Sequence, residues 1–199
     1  MSDRRLRRAV AIAALAALAA LAACGARGPS FESTDITGAS FGRGFALTAA
    51  DGTRRTLADF RGKAVAIFFG YTQCPDVCPT TLAALADAMR KLGPAADRVQ
   101  VLFVTVDPER DTPALLAQYV PAFDPRFVGL YGDRDATAAV AKEFHIIYQK
   151  VPTASGGYTM DHSAGTYIFD PQGRLRLFVS NGQSSDVFAH DLRALLDTG

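Results

Sequence analysis

The sequence predicts an α/β domain, with a mixed central sheet, helices on both of its faces and an N-terminal β-hairpin added to it. Three observations carry this. Ala64-Val65-Ala66-Ile67-Phe68-Phe69-Gly70 is a continuous apolar run, and Arg98 to Val106 holds a second; central strands covered on both faces read this way. Each run is followed by a helix-like segment. Turn signatures at Asp51-Gly52 and at Asp170-Pro171-Gln172-Gly173 mark hairpins before and after them.

The chain has 199 residues, enough for one ordinary domain and a short appendage. Hydrophobic residues make up 49% and charged residues 21%, which argues against wholesale disorder. The formal charge is +1, and no Lys/Arg cluster interleaved with aromatics follows the N-terminus, so nucleic acid is not an expected partner. Only three cysteines are present, too few for a disulfide scaffold and suited to a single site.

Met1 to Arg8 is short and basic, Ala9 to Ala23 is apolar, and Leu21-Ala22-Ala23-Cys24-Gly25 follows. This order describes a secretory signal, and the run is short for a spanning helix. The ending resembles a bacterial lipobox. Residues 1–23 are thus expected to be a lipoprotein signal peptide, with cleavage before Cys24 and lipidation of its thiol; an uncleaved membrane anchor is the alternative. Both put the domain outside the cytoplasm, at the periplasmic face of the membrane. Residues 24–43, rich in Gly, Ser and Thr, are expected to be a flexible tether, leaving 44–199 as the folded domain.

Within that domain, Gly44 to Thr48 and Arg55 to Leu57 form the first hairpin. The strand at 64–70 leads into the cysteine loop, then a helix whose apolar residues Leu82, Leu85, Ala86, Met89 and Leu92 recur at helical spacing. Gly93-Pro94 ends it. After the second central strand, Thr112 caps a helix with Pro113 at its first position. A short strand at 127–130 and a helix from Asp135 to Phe144 follow. The segment 158–163 is expected to be a polar loop, ahead of a hairpin at 165–179 and a last helix from Val187 to Leu196. Right-handed crossovers set the strands at 64–70 and 99–106 side by side. Cys74, Cys78 and the Asp107–Asp111 loop then share one rim.

Cys74-Pro75-Asp76-Val77-Cys78-Pro79 is a C-x3-C pair at a strand-to-helix turn. Pro79 fits the first helical position, with Cys78 near the cap and Cys74 in the loop before it. The helix N-terminus is expected to lower the Cys78 pKa. Soft thiolates favour Cu(I), imidazole also suits copper, and the same pair can close a disulfide. Among candidate third ligands, His145 and His190 read as ordinary surface or core histidines, and Met160 as packing. His162 stands out because its loop reaches the thiol rim. Asp161 either orients His162 or faces solvent. Asp107, Glu109, Arg110 and Asp111 read as a solvated loop before a capped helix; Asp107, like Asp161, is retained as a candidate supporting residue.

Gly70 to Pro79, Val104 to Pro113 and Asp161-His162-Ser163, in this order, resemble the Sco/SenC family of copper-binding proteins. The resemblance implies a thioredoxin-like fold in which Cys74, Cys78 and His162 bind one copper ion, Cu(I) or Cu(II). It implies delivery of copper to the Cu-A site in subunit II of cytochrome c oxidase, or reduction of that site's cysteines. That subunit and other copper chaperones would be the partners. A metallochaperone rather than an enzyme is therefore expected. The alternatives are an extracytoplasmic thiol-disulfide oxidoreductase, needing only the cysteines, and a redox or copper sensor.

Overall fold

Strand Ala64–Gly70 (β4) lies near the middle of an eight-stranded sheet and is buried at every position. The computed structural model describes residues 30–154 and 156–198. The expected signal segment, the cut site, Cys24 and the first residues of the tether lie outside these. Among the described residues no helix is long and apolar enough to cross a membrane.

The remaining elements, in chain order, are β1 (Thr34–Asp35), β2 (Ala46–Ala49), β3 (Arg54–Thr56), then β4, α1 (Val77–Leu92), β5 (Val99–Thr105), α2 (Pro113–Tyr119) and β6 (Val128–Tyr131). They continue with α3 (Arg134–Glu143), β7 (Tyr148–Pro152), β8 (Tyr158–His162), β9 (Gly165–Phe169), β10 (Leu175–Ser180) and α4 (Ser185–Asp197). The large sheet runs β1-β10-β9-β4-β5-β6-β2-β3. β5 pairs in parallel with β4 and β6, while β9 returns antiparallel on the other edge of β4. Both faces are covered. Phe68 turns toward Phe103, which meets Tyr119 of α2, whereas Phe69 turns toward Phe144 at the end of α3. This is the mixed, helix-flanked sheet the apolar runs predict, and its β4-α1-β5…β9-β10-α4 frame is thioredoxin-like.

Three readings need correction. Residues 31–43 are not a structureless tether: β1 pairs with β10, Phe31, Ile36 and Phe41 pack on the core, and the Gly42 amide donates to Glu143 O at 2.9 Å. Buried Asp191 of α4 accepts from the amides of Glu32 and Ser33, both at 2.9 Å. Short polar pairing of this kind has no apolar periodicity to announce it. Second, 158–163 is not a loop. β7 and β8 form a separate two-stranded sheet with Tyr148 opposite His162. Third, α1 starts two residues earlier than Pro79 suggests, with Asp76 as N-cap and Pro79 at the third helical position. Proline is tolerated there because first-turn amides have no intrahelical acceptor.

Candidate metal centre

The rim of the sheet is built where β4 and β5 end together. Gly70 opposes Thr105 in the parallel register, and the Val106 amide donates to Gly70 O at 2.8 Å. The chain leaving β4 carries Cys74 and then Cys78, and both are free thiols. Gly70 is required by close approach: a Cβ there would stand 2.8 Å from Cys78 Sγ and 2.9 Å from the Phe103 ring.

Cys78 occupies the second position of α1 and is fully buried, whereas Cys74 is half-buried. The Cys78 amide, one of the first-turn donors without a helical partner, lies 3.4 Å from Cys74 Sγ. The first sulfur therefore serves as acceptor for the turn holding the second. Burial pushes the Cys78 thiol up, against a backbone hydrogen bond from Tyr71 that favours the thiolate. The expected lowering by the helix N-terminus is thus overturned by desolvation, which outweighs a terminal dipole when the sulfur has no water contact. A thiolate at this position needs a cation beside it.

β8 ends at His162, whose Nε2 lies 3.9 Å from Cys78 Sγ although 84 residues separate them. His162 Nδ1 is 2.9 Å from Ser163 O. A carbonyl can only accept, so Nδ1 carries a proton, and in the neutral ring it is the Nε2 lone pair that faces the sulfur. The tautomer is set by main chain, not by Asp161, which is exposed and one strand position away, on the opposite side of β8. The Tyr71 ring stands edge-on to the imidazole at 5.9 Å.

Cys74, Cys78 and His162 thus come to one rim, with two of the three atoms in contact. Among the described residues no three His, Cys, Asp or Glu side chains already form a closed metal-holding cluster; Cys74 Sγ is turned to the amide. Two soft sulfurs and a neutral imidazole with its free lone pair suit a soft cation. His145 is exposed and stacked on Phe41, and exposed His190 bonds Asp191, so neither joins the rim. Met160 is buried.

Asp111 and Asp107 are both 1% exposed, so the loop after β5 is not the solvated segment expected. Asp111 binds the cysteine loop directly. Its carboxylate accepts from the Thr72 amide at 3.0 Å, the Thr72 hydroxyl at 2.6 Å and Thr105 Oγ1 at 2.5 Å. Burial nevertheless holds its pKa above the usual carboxylate range. Asp107 reaches the site only indirectly, through Arg110 and Tyr158. Sequence reading missed Thr72, Asp111 and the β7–β8 pairing. The Gly156-Gly157 dipeptide between Val151-Pro152 and Tyr158 was the available hairpin signal.

A thioredoxin-like scaffold presenting a dithiol and an imidazole at one rim defines a class of thiol- and metal-handling proteins. The SCO1/SenC family model matches residues 33–197, and the chain belongs to that family. It is 39% identical over 159 residues to the mitochondrial SCO2 homolog of Bos taurus, covering 78% of this chain and 60% of that protein. The chain thus spans about 60% of the length of such curated relatives. Two solved structures resemble it closely. ScoI of Bradyrhizobium japonicum, solved with copper bound, has a TM-score of 0.69 at 44% identity, covering 78% of this chain and 98% of that one. Apo Sco1 of Thermus thermophilus has a TM-score of 0.75 at 43% identity, covering 86% and 99%.

Proposed function

We propose that this protein is a copper metallochaperone that holds one copper ion with Cys74, Cys78 and His162. It delivers that ion to the Cu-A site of cytochrome c oxidase subunit II, or prepares the thiols of that site. The observation that carries the reading is the 3.9 Å approach of the His162 lone pair to the buried Cys78 sulfur, within a family whose Bradyrhizobium member was solved with copper. Copper supplies the positive charge that a desolvated Cys78 thiolate lacks. In that set the Cys74 sulfur turns to the ion and can still accept from the Cys78 amide. Lipidation of Cys24 would hold the domain at the periplasmic face of the bacterial cell membrane, where oxidase subunits and other copper chaperones are the expected partners.

Full-length protein isolated from bacterial membranes should begin at a lipid-modified Cys24 and, once reduced, take up about one copper per chain. Cys74→Ala, Cys78→Ala and His162→Ala should each lower copper affinity by at least about tenfold. Unchanged affinity in His162→Ala would remove the three-ligand site, and an intact Met1 would remove the lipid anchor.

The pairing of a half-buried Cys74 with a buried Cys78, both reduced, also favours thiol-disulfide exchange, with Cys74 as the accessible sulfur. Exchange activity surviving in His162→Ala after copper binding is lost would separate the two roles.

A further inference from the structure

Arg110 lies in the loop after β5, yet it touches three separate segments. Its Nε donates to the buried Asp107 carboxylate at 2.5 Å. Nη1 donates to the main-chain oxygen of Tyr158 at 2.7 Å and to Gln73 Oε1 at 3.2 Å. The guanidinium carbon sits 3.7 Å from the centre of the Tyr158 ring and 5.7 Å from that of Tyr71. Asp107 closes the circuit by accepting from the Tyr158 hydroxyl at 2.9 Å. Tyr71 in turn meets Thr159 of β8, hydroxyl to hydroxyl, at 2.8 Å.

These contacts join the two halves of the metal centre. Gln73 immediately precedes Cys74, and Tyr158 opens the strand that ends at His162. The hairpin β7–β8 shares no ladder with the large sheet. A two-stranded hairpin is marginal by itself, so its placement comes from its short links to α3 and β9 and from side-chain contacts, among them Lys150 Nζ to Glu109 at 2.5 Å and those of Arg110. Arg110 Nη2 is buried and makes no hydrogen bond to the described residues. Leaving a buried donor unpaired costs on the order of 1–3 kcal/mol, so the other contacts are what keep the side chain from swinging into water. A lysine offers a point charge without the planar fork and stacking face these contacts use.

We propose that Arg110 is a positioning residue for His162: it clamps the β7–β8 hairpin to the cysteine loop so that the imidazole reaches the dithiol. This rests on the reading of Cys74, Cys78 and His162 as a copper-binding set, and extends it to a side chain that need not touch the ion.

The test uses full-length protein in detergent, as wild type, Arg110→Gln, Arg110→Lys, His162→Ala and the double variant Arg110→Gln/His162→Ala. Without metal, amide hydrogen exchange in β7 and β8 should quicken about tenfold in both Arg110 variants, the loss of one charge-assisted hydrogen bond. Exchange in β4 and β5 should match wild type. Cu(I) affinity, read by competition with a chromophoric chelator, should fall about tenfold in Arg110→Gln but no further when Arg110→Gln is added to His162→Ala. Equal losses in both backgrounds, or quickened exchange across the whole sheet, would make Arg110 a general structural residue and overturn the proposal. Copper uptake by wild type with unchanged hairpin exchange in Arg110→Gln overturns it alone. A wild-type protein that takes up no copper overturns the copper reading and this inference together.

Discussion

Gly70 is where backbone and site compete for the same space. It ends β4, and nothing larger than hydrogen fits between its Cα, Cys78 Sγ and the Phe103 ring. Gly70→Ala should cost about 1–3 kcal/mol by overpacking and should displace the buried sulfur, lowering copper affinity as well as the urea midpoint. Wild-type values for both quantities would refute the close-approach argument. At this scale the sequence is informative about identity and silent about environment. Cys74 and Cys78 are legible because thiols are scarce and spaced across a strand-to-helix turn. The Cys78 titration is not, because burial is a property of the packed core and it reverses the direction that a helix terminus alone would give. Asp161 looks like a natural orienting partner from adjacency, yet strand alternation points it away and a main-chain carbonyl takes the role.

Among elements, the β9–β10 turn shows how a buried charge is managed. Asp170 is 1% exposed, and although burial raises its pKa, hydrogen bonds from the Arg174 amide and side chain and from Arg176 hold it net below the usual carboxylate range. A carboxylate with a depressed folded pKa contributes stability above its unfolded value, near 4. That contribution is lost as pH falls through the lower folded value. Asp170→Asn should therefore cost about 2 kcal/mol at neutral pH and flatten the acid limb of the stability profile; denaturant unfolding from pH 7 to pH 2 reads both. An acid limb identical to wild type would exclude Asp170 as its source. The central strands and amphipathic helices are legible because burial imposes a period on them. β7 has one half-buried position followed by four exposed ones and carries Pro152, so burial leaves almost no pattern there. Its partner β8 follows in the same hairpin, but the contact that ties β7 to the loop after β5, Lys150 to Glu109, is not local in sequence.

Across the whole molecule, the folded unit starts at Phe31, earlier than composition implies. Removing residues 1–30 spares β1 and the Glu32 and Ser33 amides. Removing residues 1–43 strips β1 from β10 and leaves buried Asp191 without the Glu32 and Ser33 amides, a loss of about 3 kcal/mol or more. Equal midpoints for the two truncations would return residues 31–43 to the status of a tether.

The 84-residue separation of Cys78 and His162 sets a condition on assembly. A chain in which β9 has not yet docked against β4 offers an ion two thiols and no imidazole, because the hairpin bearing His162 has not been brought to the rim. In the proposed set, copper thus binds the completed fold more tightly than any partly folded chain, and loading stabilises the domain in proportion to the logarithm of free copper over its dissociation constant. Loss of the ion withdraws the same free energy, leaving the emptied protein the less stable of the two forms.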